Sequence, residues 1–260
     1  MLDLDNVYHL DCFKLIEQLD DETVDLVLVD PPYNMKKASW DTFHSHQDFL
    51  DFTYSWIEAI IPKIKSTGSF YIFNTPFNSA YILQYLVESK MVFQNWITWD
   101  KRDGLGGAKK RYSNGQETIL FFTKSRDYTF NYNDIRLPYD SQERIRAAEK
   151  KGILKNGKRW FPNPDGKLCG EVWRDSSERH QRKLNGKVVK LPHKTIKPKS
   201  MIERIILASS NPGDLVVDFF VGSGTTAIVS KLNDRHYICG DSNLEFVQLA
   251  ENSLNELKNN

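Results

Sequence analysis

Short apolar runs alternate with amphipathic segments over most of the chain. Residues 24–29 read VDLVLV and are followed by Asp-Pro-Pro, which indicates a buried strand of a parallel sheet that proline brings to an end. Similar runs predict strands at 70–73, 95–99, 118–123, 215–219 and 236–240. Helical spacing of apolar residues predicts helices at 47–65, 78–89, 199–209, 225–232 and 245–258, with Gly68 ending the first. The alternation indicates βαβ units, and therefore an α/β fold with a mainly parallel sheet.

The regular pattern breaks after residue 127 and resumes only near residue 193. The intervening segment is rich in Asn, Pro, Gly and basic residues and shows little periodicity. A chain of 260 residues is long enough for one large α/β domain with an insertion, but too short for two ordinary domains with linkers. We therefore expect a single core formed by residues 1–127 and 193–260, interrupted by an inserted region at 128–192.

Charge separates the inserted region from the rest of the chain. Between Arg144 and Lys199 there are 17 Lys and Arg against 5 Asp and Glu, a net charge of +12, whereas the whole chain carries only +1. A solvated surface or a loosely ordered loop would also explain such a block. Aromatic residues are interleaved with the basic ones, however, which favours contact with nucleic acid. The aromatic and histidine residues are Trp160, Phe161, Trp173 and His180, with Tyr112 and Tyr139 upstream, and the candidate DNA-binding residues are Arg174, Arg179, Arg182 and Lys183.

Composition excludes several classes of protein. No apolar run approaches the roughly 18 residues of a membrane span. The first residues are acidic and lack the pattern of a signal peptide, so we expect a cytoplasmic protein. Cys12, Cys169 and Cys239 are widely spaced, which fits neither a disulfide framework nor a zinc site. We expect reduced thiols and no metal.

The first candidate motif reads Asp-Phe-Phe-Val-Gly-Ser-Gly-Thr-Thr at residues 218–226, between a predicted strand and a predicted helix. A glycine turn in this position lets the backbone approach a cofactor, and Asp241, 19 residues after Gly222, could bind ribose hydroxyls. Ala227 replaces the third glycine of the dinucleotide fingerprint, and no lysine follows Gly224 as in a P-loop. A purely structural turn is the alternative. The two carboxylates suit a cationic cofactor that carries a ribose.

The second candidate motif is Asp30-Pro31-Pro32-Tyr33, directly after the strand at 24–29. Prolines remove backbone donors and fix the turn, so the aspartate and the neighbouring carbonyl oxygens can accept hydrogen bonds from a planar amino group. Tyr33 could then stack on the ring that carries the amino group. The alternative is a proline-terminated strand followed by a tyrosine of the core.

Together the two motifs resemble those of the amino-methylating DNA methyltransferases that use S-adenosylmethionine. Further segments match over nearly the whole chain: Asp11-Cys12, residues 193–198 with Lys197-Pro198, and residues 171–173, where Glu171 replaces the more usual aspartate. The catalytic motif precedes the basic region and the glycine motif follows it, which is the order of the permuted beta class. Within that class the chain looks most like the adenine-specific modification enzymes of restriction systems.

The resemblance implies a Rossmann-like methyltransferase fold and a role for each matching residue. Asp30 and the Pro31 carbonyl would accept from the adenine N6 amino group, Pro32 belongs to the rigid turn, and Tyr33 would stack on a base flipped out of the duplex. The resemblance further assigns the following residues to the cofactor: Asp11, Lys197, Asp218, Phe220, Gly222, Ser223, Gly224, Thr225, Thr226 and Asp241. Direct methyl transfer would then depend on alignment and charge placement.

Single residues distinguish several alternative activities. N4-cytosine methylation remains open, although that activity is commonly associated with serine at position 30. C5-cytosine methylation would need a cysteine after proline, yet Asp11, Leu168 and Ile238 precede the three cysteines. Protein-glutamine and RNA methyltransferases more usually have asparagine at position 30. A non-catalytic DNA-binding module would explain the basic region alone. The expected partners are double-stranded DNA and a cognate restriction endonuclease, and a homodimer is possible.

Overall fold

The computed structural model describes residues 2–101, 109–176, 181–184, 187–190 and 196–258, with the backbone alone between 181 and 190. An eight-stranded sheet forms the centre, in the order β1-β12-β11-β2-β3-β5-β4-β8. Its strands are β1 (Asn6–His9), β2 (Val24–Val29), β3 (Ile64–Asn74), β4 (Val92–Asp100), β5 (Gln116–Thr123), β8 (Val172–Trp173), β11 (Leu215–Asp218) and β12 (His236–Asp241). The α-helices are α1 (Cys12–Glu17), α2 (His46–Ile60), α3 (Pro76–Glu88), α4 (Gln142–Lys151), α5 (Lys199–Ser209), α6 (Thr225–Leu232) and α7 (Leu244–Lys258). The predicted α/β class is confirmed.

Strand β2 lies in the middle of the sheet and is buried on both faces. Val27 and Val29 pack into one hydrophobic cluster, and Leu26 and Leu28 pack into another on the opposite face. Because both faces are covered, the strand shows a continuous apolar run without the alternation of a half-exposed strand. This is the run that the sequence pattern identifies.

The direction of the strands decides which residues meet at one edge of the sheet. β1, β12, β11, β2 and β3 pair in parallel, so their carboxyl ends lie at the same edge. β5 pairs antiparallel with both β3 and β4. The amino end of β5, with Glu117, therefore lies beside the carboxyl ends of the other strands. We call this side of the sheet the catalytic edge.

The predicted carboxyl end of the helix at 47–65 is wrong. α2 begins with a capping box between Ser45 and Asp48, ends at Ile60, and is followed by a 3-10 turn at Ile61–Lys63 that contains Pro62. Proline lacks the N–H that a continuing helix would use, which ends the helix before the predicted limit. Gly68 does not cap this helix but lies inside β3, where a Cβ atom would meet Ile64 Cγ2 at 2.6 Å and the Val24 carbonyl oxygen at 3.0 Å.

The region at 128–192 has more regular structure than its sequence pattern indicates. It contains α4, an antiparallel hairpin of β6 (Ile153–Lys155) and β7 (Lys158–Trp160), and a second pair formed by β9 (Gln181–Leu184) and β10 (Lys187–Lys190). It also returns to the central sheet, because β8 pairs in parallel with β4. The division of the chain at 128 and 192 stays a prediction.

Cys12, Cys169 and Cys239 are free thiols, as expected. Within the described ranges no helix is long and apolar enough to cross a membrane.

Candidate active site

The catalytic edge brings together three aspartates that the sequence places far apart. Asp30 follows β2, Asp218 is the last residue of β11, and Asp241 is the last residue of β12. β11 lies between β2 and β12 in the sheet, so the three carboxylates line neighbouring strand ends. Ligands of open α/β sheets bind at this edge, because loops there can open around them.

Asp30 is the centre of a hydrogen-bonded group that includes Lys197. Its Oδ2 lies 2.5 Å from Lys197 Nζ, and its Oδ1 accepts from the Tyr33 hydroxyl at 2.7 Å. The Lys197 side chain is only 7% exposed, and its ammonium also lies 5.5 Å from the centre of the Tyr33 ring. The carboxylate of Asp30 is therefore oriented by a cation and a hydroxyl group.

Glu117, in β5, is a second carboxylate in the same group. Its Oε2 accepts from the Tyr33 hydroxyl at 3.2 Å and lies 3.5 Å from Lys197 Nζ, while its Oε1 pairs with Lys101. Two carboxylates thus face two ammonium groups in a largely buried space. The charges balance, which is the condition under which buried ion pairs are tolerated.

The pKa shifts follow from this arrangement. Burial opposes the charged form of Lys197, but Asp30 and Glu117 outweigh it and raise the lysine pKa above its ordinary value. Burial also opposes the charged form of Glu117, yet Lys197 and Lys101 lower the pKa of that carboxyl. Burial, together with the two carboxylates, raises the pKa of Tyr33 well above its ordinary value. At neutral pH the lysine and the glutamate are charged, and the tyrosine keeps its proton as a donor.

The glycine motif forms a tight turn that Asp218 closes. Asp218 Oδ1 accepts from the Phe220 N–H at 3.0 Å, and Oδ2 accepts from the Thr226 hydroxyl at 2.7 Å. Ser223 and Thr225 are joined through their hydroxyl oxygens at 3.1 Å. Burial raises the pKa of Asp218 to about 7 in spite of the two hydrogen bonds. A cation placed near this carboxyl would favour its charged form.

The two glycines of the motif have different surroundings. Both have positive φ, 50° at Gly222 and 81° at Gly224. A Cβ atom on Gly224 would lie 2.6 Å from the Ala250 Cβ and 2.7 Å from its Cα, so this glycine lets α6 approach α7. The Gly222 N–H donates to Asp241 Oδ2 at 3.1 Å and so links the turn to β12. Gly224 therefore serves the packing of two helices.

The Asp241 carboxylate accepts from the backbone around it. Oδ2 accepts from the Gly222 N–H at 3.1 Å and Oδ1 accepts from the Asn243 N–H at 2.9 Å, and a carboxylate has about four acceptor positions in all. Burial raises the pKa of this carboxyl, and the backbone N–H donors oppose the rise. The arrangement suits the pair of donors that a ribose diol presents.

Two cavities meet beside Asp30. The larger, about 430 Å³, is lined on one side by residues of the Asp30 group and on the other by Asp241 and Phe246. The smaller, about 30 Å³, is lined by Asp218 and the glycine turn. Three residues line both cavities, namely Asp30, Lys197 and Phe220. A group transferred between a ligand in one cavity and a ligand in the other would pass these three residues.

Most of the predicted catalytic and cofactor residues converge on these cavities. The larger cavity is lined by Asp11, Asp30, Pro31, Pro32, Tyr33, Lys197, Phe220 and Asp241, and the smaller by Asp218, Gly222, Ser223, Thr225 and Thr226 as well. Asp11 also caps α1 by accepting from the Lys14 N–H at 3.1 Å. Gly224 lines neither cavity.

The predicted DNA-binding residues lie apart from this group. The Arg174 side chain is 65% exposed and lies 3.8 Å from Asp100 at the end of β4, which is also at the catalytic edge. Arg182 and Lys183 belong to β9, of which the backbone is described. Arg179 lies outside the described residues, as do His180, His193 and Thr195. Trp173, one of the interleaved aromatics, is buried and donates to the Gly170 carbonyl at 2.8 Å, so it does not face solvent.

Three polar residues of the site are absent from the sequence motifs. Glu117 and Lys101 complete the group around Tyr33, and Asp41 binds the backbone of the segment that follows Tyr33. The sequence offers one signal for Glu117, which is the lone charged residue of β5 and lies near the start of that largely buried strand. Finding its role requires knowing that β5 runs antiparallel to β3.

The fold and the site define the class of S-adenosylmethionine-dependent methyltransferases. A family model for DNA methylases, N6_N4_Mtase, matches residues 24–252. The chain is 58% identical over 260 residues to Type II methyltransferase M1.MboII of Moraxella bovis, and the match covers 100% of both chains. The chain belongs to the DNA methylase family.

Solved structures agree with this assignment. The M1.HpyAVI–SAM complex is similar with a TM-score of 0.62 and 25% identity, and the match covers 96% of this chain and 98% of that chain. The PvuII DNA methyltransferase, cytosine-N4-specific by its title, is similar with a TM-score of 0.68 and 17% identity over 97% of this chain and 90% of that one. The second likeness shows the fold alone. The resemblance to DNA methyltransferases of restriction-modification systems, with S-adenosylmethionine as cofactor, is confirmed.

Proposed function

We propose that this DNA methyltransferase methylates the N6 amino group of adenine in duplex DNA. The observation that carries the proposal is the position of Asp30, which lines both cavities and is held there by Tyr33 and Lys197. A carboxylate at this point can accept from an amino group while the cofactor lies on the other side. The aspartate also matches the adenine-specific pattern, since N4-cytosine enzymes commonly have serine at this position.

The base would enter the part of the larger cavity that Tyr33 and the two prolines line. Asp30 Oδ1 receives one hydrogen bond from Tyr33 and keeps a further lone pair for the amino group. The Tyr33 ring supplies an aromatic face for stacking. Because an N6 atom is inaccessible to a methyl donor inside a base stack, the base must first be flipped out of the duplex. The proton on N6 can leave as positive charge develops, so Asp30 acts by orientation and charge.

The cofactor fits the remaining surface by the chemistry of its donors and acceptors. Asp241 offers two oxygens to the ribose diol, and Phe220 and Phe246 supply apolar walls of the larger cavity. Asp218, with its raised pKa, suits the positively charged amino-acid end beside the glycine turn. When bound, S-adenosylmethionine supplies an electrophilic methyl group. Lys197, which resemblance assigns to the cofactor, contacts Asp30 directly and therefore belongs equally to the base side.

The DNA would approach the catalytic edge, where the exposed Arg174 lies. The described part of the basic region is largely exposed, including the basic residues of α4 and Trp160, which is 45% exposed. Basic and aromatic groups at a surface suit phosphates and unstacked bases. The relative from Moraxella bovis is named as a Type II methyltransferase, so we further propose pairing with a restriction endonuclease in the cytoplasm. A homodimer remains a proposal.

The experiment is to identify the methylated nucleoside. DNA incubated with the purified protein and labelled S-adenosylmethionine would be digested to nucleosides, and the labelled product separated by mass and retention time. We expect N6-methyl-2′-deoxyadenosine in a defined sequence context, which sequencing of the methylated DNA would map. N4-methyl-2′-deoxycytidine would contradict the proposed base, and no labelled nucleoside would contradict catalysis itself. Asp30→Asn protein serves as the control for a contaminating methyltransferase.

A further inference from the structure

Asp41 is a buried carboxylate whose hydrogen bonds all come from the backbone of one short segment. It is 2% exposed and ends a 3-10 turn at Ser39–Asp41. Oδ1 accepts from the Tyr33 N–H at 2.7 Å, and Oδ2 accepts from the N–H groups of Met35 and Lys37 at 3.0 and 3.3 Å. Among the described residues no lysine or arginine forms an ion pair with it. The three N–H donors therefore stabilise its negative charge.

The segment from Tyr33 to Phe43, which we call the Tyr33 loop, has a backbone that needs such support. Asn34 and Lys36 have φ of 57° and 58°, in the left-handed region that residues other than glycine rarely adopt. Asp41 accepts from the N–H groups of the three residues that flank these two positions, namely Tyr33, Met35 and Lys37. The Lys36 N–H in turn donates to the Asp41 carbonyl at 3.1 Å. The carboxylate thus holds the chain in a conformation that it would not keep alone.

The hydrogen bond to Asp41 is one of three points at which Tyr33 is fixed. The Tyr33 carbonyl accepts from Asn78 Nδ2 at 2.9 Å, and its hydroxyl donates to Asp30 or Glu117. The N–H, the carbonyl and the tip of the ring are thereby held by different elements. The angle of the ring toward the larger cavity depends on all three.

The Tyr33 loop also spans the larger cavity. Met35, Lys37, Trp40 and Phe43 line it, and the Trp40 ring lies edge-on to Phe246 at 6.3 Å between centroids. Phe246 belongs to α7, close to Asp241 on the cofactor side. One loop therefore connects the tyrosine of the catalytic motif with the wall of the cofactor side.

We propose that Asp41 is a positioning residue for the target base, acting by fixing the backbone of Tyr33 and the loop that follows it. Asp41 also lines the larger cavity, but both of its carboxylate oxygens accept from backbone N–H groups of the Tyr33 loop, so its effect passes through the orientation of the Tyr33 ring. The inference rests on the proposed function, because it concerns the tyrosine that stacks on the flipped base. It adds a residue outside the catalytic motif to the determinants of turnover.

The test is Asp41→Asn, in which the amide nitrogen cannot accept from a backbone N–H. On DNA that the wild-type protein methylates, we expect kcat to fall about 10-fold to 100-fold, with the KM for S-adenosylmethionine within about threefold of wild type. Asp214→Asn is the matched control, because Asp214 Oδ2 likewise accepts a backbone N–H, from Asn211 at 2.7 Å, in a turn at the opposite edge of the sheet. The control should keep wild-type kcat. Equal kcat in the two variants would overturn the proposal.

A double variant distinguishes positioning from a general loss of structure. If Asp41 acts through Tyr33, Asp41→Asn should lower kcat much less in a Tyr33→Ala background than in wild type. Full additivity of the two losses would overturn the proposal. Should Asp41→Asn not fold, Asn34→Gly removes the hydrogen bond that Asn34 Oδ1 accepts from the Phe43 N–H and still allows the positive φ. That variant should lose severalfold in kcat, and wild-type turnover would count against the proposal.

The result is separable from the test of the proposed function. The identity of the methylated nucleoside in the wild-type reaction decides between adenine and cytosine. The ratio of variant to wild-type turnover decides whether Asp41 positions Tyr33, whichever base is methylated.

Discussion

Lys197 Nζ lies 2.5 Å from Asp30 Oδ2, although the two residues are 167 positions apart in sequence. The pair joins the segment before α5 to the end of β2, and both residues line the two cavities. The sequence motifs assign Asp30 to catalysis and Lys197 to the cofactor. In the structure Lys197 neutralises the Asp30 carboxylate, so the two segments form a single electrostatic unit.

The first prediction concerns the charge of Asp30. Asp30→Asn keeps the shape but loses the charge-assisted hydrogen bonds, which should raise the barrier by about 2 to 4 kcal/mol and slow methyl transfer roughly 30-fold to 1000-fold. Binding of S-adenosylmethionine, measured by calorimetry, should stay within about threefold. Asp25→Asn is the control. Asp25 lies in β2, the strand that Asp30 follows, but at the edge of the sheet opposite the catalytic edge, and its carboxylate pairs with Lys65 Nζ at 2.8 Å. Near-normal turnover by Asp30→Asn would refute the catalytic role.

The second prediction follows from the charge balance around Glu117. Glu117→Gln leaves Lys197 and Lys101 with one carboxylate between them, and breaking a buried pair costs about 3 to 5 kcal/mol of stability. We expect a lower free energy of unfolding and a kcat reduced about tenfold or more. Adding Lys101→Met should recover part of both losses, since it removes the unpaired cation. Failure of the second change to recover either quantity would show that charge balance is not the cause.

The third prediction separates strain from packing at Gly224. Gly224→Ala must accept a φ of 81° and a contact of 2.6 Å with Ala250 Cβ. Gly213→Ala is a matched control, because Gly213 has a φ of 86° but nothing within 4 Å of the added Cβ. The control should lose about 1 to 2 kcal/mol of stability from backbone strain alone, and Gly224→Ala distinctly more. Equal losses would mean that α7 moves aside without cost.

The surroundings of Gly224 show which features a local sequence pattern can predict and which it cannot. The strand, glycine turn and helix around Gly224 could be predicted, because each local pattern is determined by residues close in sequence. The resemblance assigns Gly224 to the cofactor, and the structure adds that a Cβ atom at this position would meet Ala250 of α7. Ala250 is 26 positions away, and nothing in the local pattern indicates the contact.

In the rest of the fold and the site, too, features determined by residues close in sequence could be predicted, whereas features that depend on distant contacts could not. Helices α5 and α6 were predicted with their bounds, since apolar spacing and local turns determine them. Glu117 and Asp41 could not be assigned, because their roles depend on an antiparallel strand and on the path of a loop. α1 was missed because six residues give too short a periodic pattern.

The fourth prediction is a pH dependence of cofactor affinity that comes from Asp218. Its pKa of about 7 means that the carboxyl is largely neutral at pH 5.5 and becomes charged as the pH rises. If the charged form holds the cofactor's ammonium group, affinity should increase up to about tenfold per pH unit between pH 5.5 and 7, below the ordinary pKa of an α-amino group near 7.7. Asp218→Asn should bind more weakly and without this slope. A slope that persists in the variant would assign the titration to another group.

The raised pKa of Asp218 has a separate consequence for stability. The folded state binds a proton that the unfolded state has already released above its ordinary pKa of 3.8, so the contribution of this group to stability is full below that value. It is lost as the pH rises toward about 7. In denaturant unfolding, the free energy of unfolding of Asp218→Asn relative to that of wild type should therefore be higher at pH 8 than at pH 5. The opposite trend would contradict the raised pKa.

The last prediction concerns the basic region as the surface that holds DNA. Arg174 is exposed at the catalytic edge, and α4 with its basic side chains is exposed as well, so phosphates can reach both. Each contacting Lys or Arg that is neutralised should reduce the slope of log affinity against log salt by roughly 0.9, whereas loss of a base contact should relax the sequence preference by about 1 to 3 kcal/mol at one position. The substitutions are Arg174→Gln, Arg179→Gln, Arg182→Gln and Lys183→Gln, measured on cognate and scrambled duplexes at several salt concentrations. Lys90→Gln, exposed beyond α3 at the opposite edge, should keep the parental slope because DNA bound at the catalytic edge cannot contact it. If the four variants behave like this control, the region does not face DNA.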